Sequence, residues 1–192
     1  STPWKRVPSA TEPSGRSVPV SSWSSPMRSR SPRPNGSNML AQSPSSTAAP
    51  SPLRRALGTA SLALPEFEPT VVDGLREMDY GSYEGRTTAE ITAERPDWDL
   101  FGSGTPDGEH LHQVVARCDA VIAKLERTAA GRTVVAFTHG HLGRVLACRL
   151  LGLPGGAAAA LHHDTGSLAV VEQRRGRFVL TAWNVRPAAD GQ

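Results

Sequence analysis

The 192-residue chain reads as an α/β protein: a mostly parallel sheet flanked by helices, preceded by a disordered segment. Two observations predict this. From about residue 51 onward, short strand-like runs alternate with segments of helical periodicity, the pattern of α/β folds. One of those runs, Thr133–Thr138 (TVVAFT), lacks polar alternation, as expected of a strand covered on both faces in a parallel sheet.

Residues 1–50 hold 14 Ser and 9 Pro and sustain neither a period of 2 nor one of 3.6. Proline removes backbone donors, and so polar a run cannot bury enough apolar surface to offset the entropy of ordering. We read residues 1–50 as disordered, 51–185 as the folded domain and 186–192 as a tail. "SPLRRALGTASLAL" then turns into a short helix, with Ser51 as N-cap and Pro52 at the first helical position. Thr70–Gly85 (TVVDGLREMDYGSYEG) reads as a short strand followed by a Gly-punctuated loop of aromatics and carboxylates. Thr87–Pro96 has the capping-box spacing of Thr87 and Glu90. "DWDLFGSGTPDGE" reads as a loop. His110–Arg127 places Leu111, Val114, Val115, Cys118, Val121, Ile122 and Leu125 on one helical face. Leu142–Leu151 is helical, closed by Gly152 and Pro154, and Ser167–Asn184 reads as a β-hairpin.

Charge and cysteine content exclude several classes. Residues 1–50 carry six basic residues against Glu12, so of the total of +3 the remainder holds −2. The part expected to fold is slightly acidic, and the pI near 9.3 does not argue for nucleic-acid binding. Cys118 and Cys148 both fall on helical faces, where a small buried thiol is the plain reading; they suggest neither a disulfide framework nor a zinc knuckle. No apolar run approaches 18 residues, so no membrane contact and a cytoplasmic location are expected.

The chemistry-bearing residues cluster at element ends. His139 follows a strand and opens a helix, the place where an open α/β sheet exposes ligand-binding groups. The helix N–H groups beside it suit an anion, and Gly140 lets the backbone approach one. Arg54 and Arg55 sit at a helix start, and because adjacent helical residues diverge by about 100°, at most one of them faces a given site. Glu77, Asp79 and Glu84 are candidate proton donors if Tyr80 and Tyr83 wall them from water, though carboxylates in such a loop are commonly just solvated. Glu109 reads as a helix cap. His139, His141, His162, His163 and Asp164 leave open a metal-dependent hydrolase, although no metal is expected. No cofactor is implied.

Taken in order, "SPLRRALGTA" (Ser51–Ala60), "LREMDYGSYEG" (Leu75–Gly85), "PDGE" (Pro106–Glu109) and "THGH" (Thr138–His141) resemble the histidine phosphatase superfamily, the phosphoglycerate mutase-like group, over about residues 51–185. The resemblance implies that Arg55 clamps phosphate. It implies that Glu77 donates the proton to the leaving group, and that His139 holds phosphoryl oxygens without attacking. It implies a phosphomonoester hydrolase working through a phosphohistidine, with phosphoglycerate mutase-type transfer as the alternative. The ligand would be a small phosphorylated metabolite or inorganic phosphate. The family's nucleophile lies in an Arg-His-Gly motif on the first strand; this sequence contains none, and no histidine precedes His110. We therefore expect impaired turnover, or a phosphate-binding remnant. We read the switch near residue 50 as a wrong-frame or truncated stretch in which the family's amphipathic helix and second strand are missing.

Overall fold

The structure, a computed structural model, describes residues 46–128 and 131–186. Of the segment 1–50 expected to be disordered, residues 1–45 lie outside the described residues, as does the tail beyond Arg186.

Two five-residue strands form the frame. Strand β1 (Ser46–Pro50) pairs in parallel with β2 (Thr133–Phe137), in a register running from Ser46 opposite Thr133 to Pro50 opposite Phe137. β1 corrects two expectations at once, because it lies inside the stretch read as disordered and supplies a strand read as missing. "STAAP" has no apolar signature, but its Ala48 and Ala49 are buried, and small side chains let α1 (Arg54–Ala63) pack close through Ala56 and Ala60. The strand expected near Thr70 is an extended segment whose Thr70 and Val72 amides donate to Ala48 and Pro50 carbonyls, lining the other edge of β1. Helix α1 begins two residues later than Pro52, with Leu53 and not Ser51 at its N-cap position; the Ser51 hydroxyl accepts from the Leu53 amide at 3.3 Å.

The middle of the chain is loop-rich. Helix α2 (Thr88–Glu94) carries the expected capping box, with the Thr87 hydroxyl accepting from the Glu90 amide and the Glu90 carboxylate accepting from the Thr87 amide at 2.7 Å. The segment read wholly as loop contains a four-residue helix, α3 (Leu100–Ser103), started by Asp99 accepting from the Gly102 amide at 2.7 Å. Helix α4 (Leu111–Thr128) packs its apolar face on α5 (Gly140–Leu150). Val114, Cys118 and Val121 there meet Leu142, Val145 and Cys148, with Leu75 and Met78 completing the core. Both cysteines are buried and free, and burial pushes the Cys118 thiol up to about 12. β3 (Leu168–Arg174) and β4 (Arg177–Val185) form a separate antiparallel hairpin. Its two-residue turn has positive φ at Arg175 and Gly176, which matches the twist of the strands it joins.

One glycine is held by contact as well as by backbone angle. Gly81 has φ +52°, and a Cβ there would lie 2.1 Å from the Pro106 carbonyl oxygen. Gly85 shares the left-handed conformation at φ +77° with nothing within 4 Å. Gly85→Ala is expected to cost about 1 kcal/mol, the strain of a left-handed alanine. Gly81→Ala is expected to cost about 2 kcal/mol more in urea denaturation, because backbone must also move. Equal losses would contradict the close approach.

Candidate active site

Parallel pairing brings the carboxyl ends of β1 and β2 to the same edge, and the Ser51 amide continues the ladder by donating to the Phe137 carbonyl at 2.8 Å. The residues just past the two strands, Ser51 and His139, are therefore neighbours although 88 positions apart. His139 Nε2 lies 2.8 Å from Ser51 Oγ, and Arg55, on the first turn of α1, places Nε 3.1 Å from His139 Nδ1. Arg can only donate, so Nδ1 holds the lone pair and the imidazole is the neutral Nε2–H form, donating to Ser51. Burial, and then the Arg55 charge, hold His139 below the usual histidine range, with Glu77 opposing.

Glu77 arrives from the loop. Its Oε1 accepts from the Leu142 amide at 2.9 Å and its own neighbour Met78 at 3.1 Å, while Oε2 accepts from the His141 amide at 3.3 Å. The carboxylate thus sits on the first turn of α5, where unpaired N–H groups and the helix dipole favour negative charge. This corrects the expectation that those amides are open to a phosphate, since Glu77 takes two of them. The structure brings Arg55, Glu77 and His139 together. Oε2, held by a single long amide bond, is the oxygen better placed to pass a proton outward.

Tyr80 and His141 form the adjoining wall. The Tyr80 hydroxyl is 2.5 Å from His141 Nδ1. Burial, reinforced by Glu77 and Glu84, raises the tyrosine pKa well above its ordinary value. Asp79 and Glu84 turn a carboxylate oxygen to the loop backbone. The Asp79 carboxylate accepts from the Gly81 amide at 2.9 Å and Glu84 from the Tyr80 amide at 3.2 Å, each bracing the loop. Arg54 is exposed beside Arg55. His162 pairs outward with Asp164 at 2.9 Å, and His163 stacks on Trp183. Among the described residues no three His, Cys, Asp or Glu side chains gather as a metal set.

The residue least visible in the sequence is Arg117 on α4. Its guanidinium donates to the Gly74 and Arg76 carbonyls at 2.8 Å each and pairs with Glu109 at 2.6 Å. Glu109, read as a helix cap, instead accepts from the Asp79 amide as well. Together the pair clamps the backbone on both sides of Glu77. Replacing Arg117 with Met leaves the carboxylate and two carbonyls without their donor, and is expected to cost about 2 kcal/mol or more in urea denaturation. Arg149→Met, which breaks a more exposed pair with Asp119, is expected to cost clearly less. Equal losses would remove the clamp.

A second expectation concerns pH. His139, His141 and His163 are all held below the ordinary histidine range, chiefly by burial. A lowered folded pKa means that the unfolded chain takes up protons first as pH falls. Stability present above the unfolded value of about 6.5 is therefore lost between there and the lower folded value. Urea midpoints are expected to fall from pH 7.5 to 5.5, and His139→Phe to flatten part of that slope. A rising midpoint would contradict the burial.

Comparison with known proteins follows the same geometry. The profile of the histidine phosphatase superfamily (branch 1) matches residues 37–186, beginning upstream of the boundary drawn at residue 51. An acid phosphatase of Mycobacterium tuberculosis is 39% identical over 121 residues, 62% of this chain and 59% of that protein, so the chain spans less than two thirds of its length. A solved structure of an open-reading-frame product from Mycobacterium tuberculosis superposes with a TM-score of 0.71 at 32% identity, over 77% of this chain and 76% of that one. A mycobacterial glucosyl-3-phosphoglycerate phosphatase in complex with inorganic phosphate superposes with a TM-score of 0.64 at 27% identity, over 73% and 77%. No described helix is long and apolar enough to cross a membrane.

Proposed function

This chain belongs to the histidine phosphatase superfamily, and on that premise we propose that it holds the phosphoryl group of small phosphomonoesters in a phosphatase site whose turnover is impaired. The observation that carries the reading is the Arg55–His139 contact beside Glu77 at the start of α5. Phosphoryl transfer needs fixed positive donors around the equatorial oxygens and a proton for the departing alkoxide. Arg55 spends only Nε on His139 and is otherwise exposed, so its terminal nitrogens can turn to a ligand. His139 would exchange Ser51 or Arg55 for a phosphoryl oxygen, and a dianion beside it favours the protonated ring. Glu77 would donate from Oε2 to the leaving oxygen.

In the reaction that family membership implies, a histidine nitrogen bonds phosphorus as the ester oxygen leaves with the Glu77 proton. Water then cleaves the phosphohistidine. The 192 residues contain no Arg-His-Gly. His139 does not replace it, because in-line displacement fixes the side of phosphorus from which attack comes. The chain is thus read as a cytoplasmic phosphate binder with a phosphatase's architecture, favoured over a mutase.

Inorganic phosphate is expected to raise the thermal midpoint, as a ligand of the native state must, and His139→Ala to abolish that rise. p-Nitrophenyl phosphate is expected to be hydrolysed at no more than background rate. Robust hydrolysis that disappears in His139→Ala would overturn the impaired reading.

A further inference from the structure

Next to Glu77, beyond the Tyr80–His141 wall, lies a cavity of about 380 Å³. We infer that this cavity takes the leaving group of a monophosphate ester, and that it selects an apolar or aromatic group and disfavours one with a second phosphate or a carboxylate. The inference rests on the phosphoryl site proposed above and adds the identity of what hangs from the phosphate.

Position comes first. Tyr80 and His141 both line the cavity; the His141 backbone amide holds Glu77 Oε2 at 3.3 Å, and the Tyr80 hydroxyl meets the His141 ring. A leaving oxygen that receives the Glu77 proton would have its substituent directed past these two residues. The walls are aromatic: Tyr83 meets Trp98 edge to face at 5.7 Å, and Phe101 faces His141 at 6.0 Å. Trp98 is pinned by its indole N–H donating to the Gly104 carbonyl at 2.8 Å, so this surface is set before any ligand arrives. Concave, mostly apolar surfaces of this size are where small ligands bury most of their area.

Charge decides the class. Two arginines line the cavity, and a second anionic group would need one of them. Arg86 is paired with Glu94 at 2.6 Å. Arg144 stacks 4.8 Å over the Phe101 ring and donates Nε to the Ala158 carbonyl at 2.9 Å. Glu84 and Asp99 also line the cavity and balance the two cations. A second phosphate would meet both carboxylates and could take Arg86 only by breaking its pair with Glu94, whereas an aryl group would add to the ring edges already present.

The test is calorimetric titration of the full chain with inorganic phosphate, 1-naphthyl phosphate and fructose 1,6-bisphosphate. The aryl ester is expected to bind about tenfold tighter than inorganic phosphate, a modest return for burying one ring system. The bisphosphate is expected to bind no tighter than inorganic phosphate. Ala159 lines the cavity and is exposed; Ala159→Arg, which puts an unpaired cation there, is expected to narrow the aryl preference and favour the bisphosphate. Equal binding of phosphate and the aryl ester would overturn the cavity's role while leaving the phosphoryl site standing. A tighter bisphosphate, or an aryl preference untouched by Ala159→Arg, would also overturn it. Absence of binding by all three would overturn both proposals.

Discussion

The parallel pairing of β1 with β2 is the constraint on which the rest depends. Two strands running the same way end at the same edge, so a serine after one and a histidine after the other become hydrogen-bonding neighbours with no further device. The helix that must follow each strand in such a fold then starts at that edge too. Arg55 is on the first turn of α1 and His139 immediately precedes α5, so both owe their position to backbone geometry more than to side-chain packing. A shift of one residue in this register would separate Arg55 from His139.

Glu77 reaches the same edge by another route. Its loop has little regular structure, so its placement depends on polar contacts at both ends: the α5 amides in front and the Arg117–Glu109 pair behind. An acid at a helix start and an arginine that gathers carbonyls are each common stabilising devices. Here both act on a five-residue stretch, Leu75–Asp79, that also contributes Leu75 and Met78 to the core. Packing, capping and the proposed proton donor are thus one structure. The cavity beyond Tyr80 inherits its orientation from the same stretch.

The long periodic elements were legible in the sequence. Seven apolar residues on one face announced α4, the turn at Arg175–Gly176 the hairpin, and Thr87 with Glu90 the start of α2. β1 was not legible, because "STAAP" becomes a strand only through its partner across the sheet; propensity is weak where pairing decides. α3 escaped notice because a four-residue helix resting on one aspartate leaves no period to read. Of the proposed site, Arg55, Glu77 and His139 were named from motif order, which encodes ancestry. Their contacts were not, since the Ser51 hydroxyl meets His139 as well as the Leu53 amide, Glu109 trades a capping role for Arg117, and Glu77 occupies amides expected to be open. These are choices between short-range and long-range partners that a linear reading cannot make.

The central claim, that strand register places Arg55 and Ser51 on opposite nitrogens of a neutral His139, is tested most directly by nitrogen-15 NMR of the His139 ring. The expected result in ligand-free protein near pH 7 is the Nε2–H tautomer, with Nδ1 showing the shift of an accepting nitrogen, and movement toward the doubly protonated ring when phosphate is added. An Nδ1–H tautomer that phosphate leaves unchanged would contradict it.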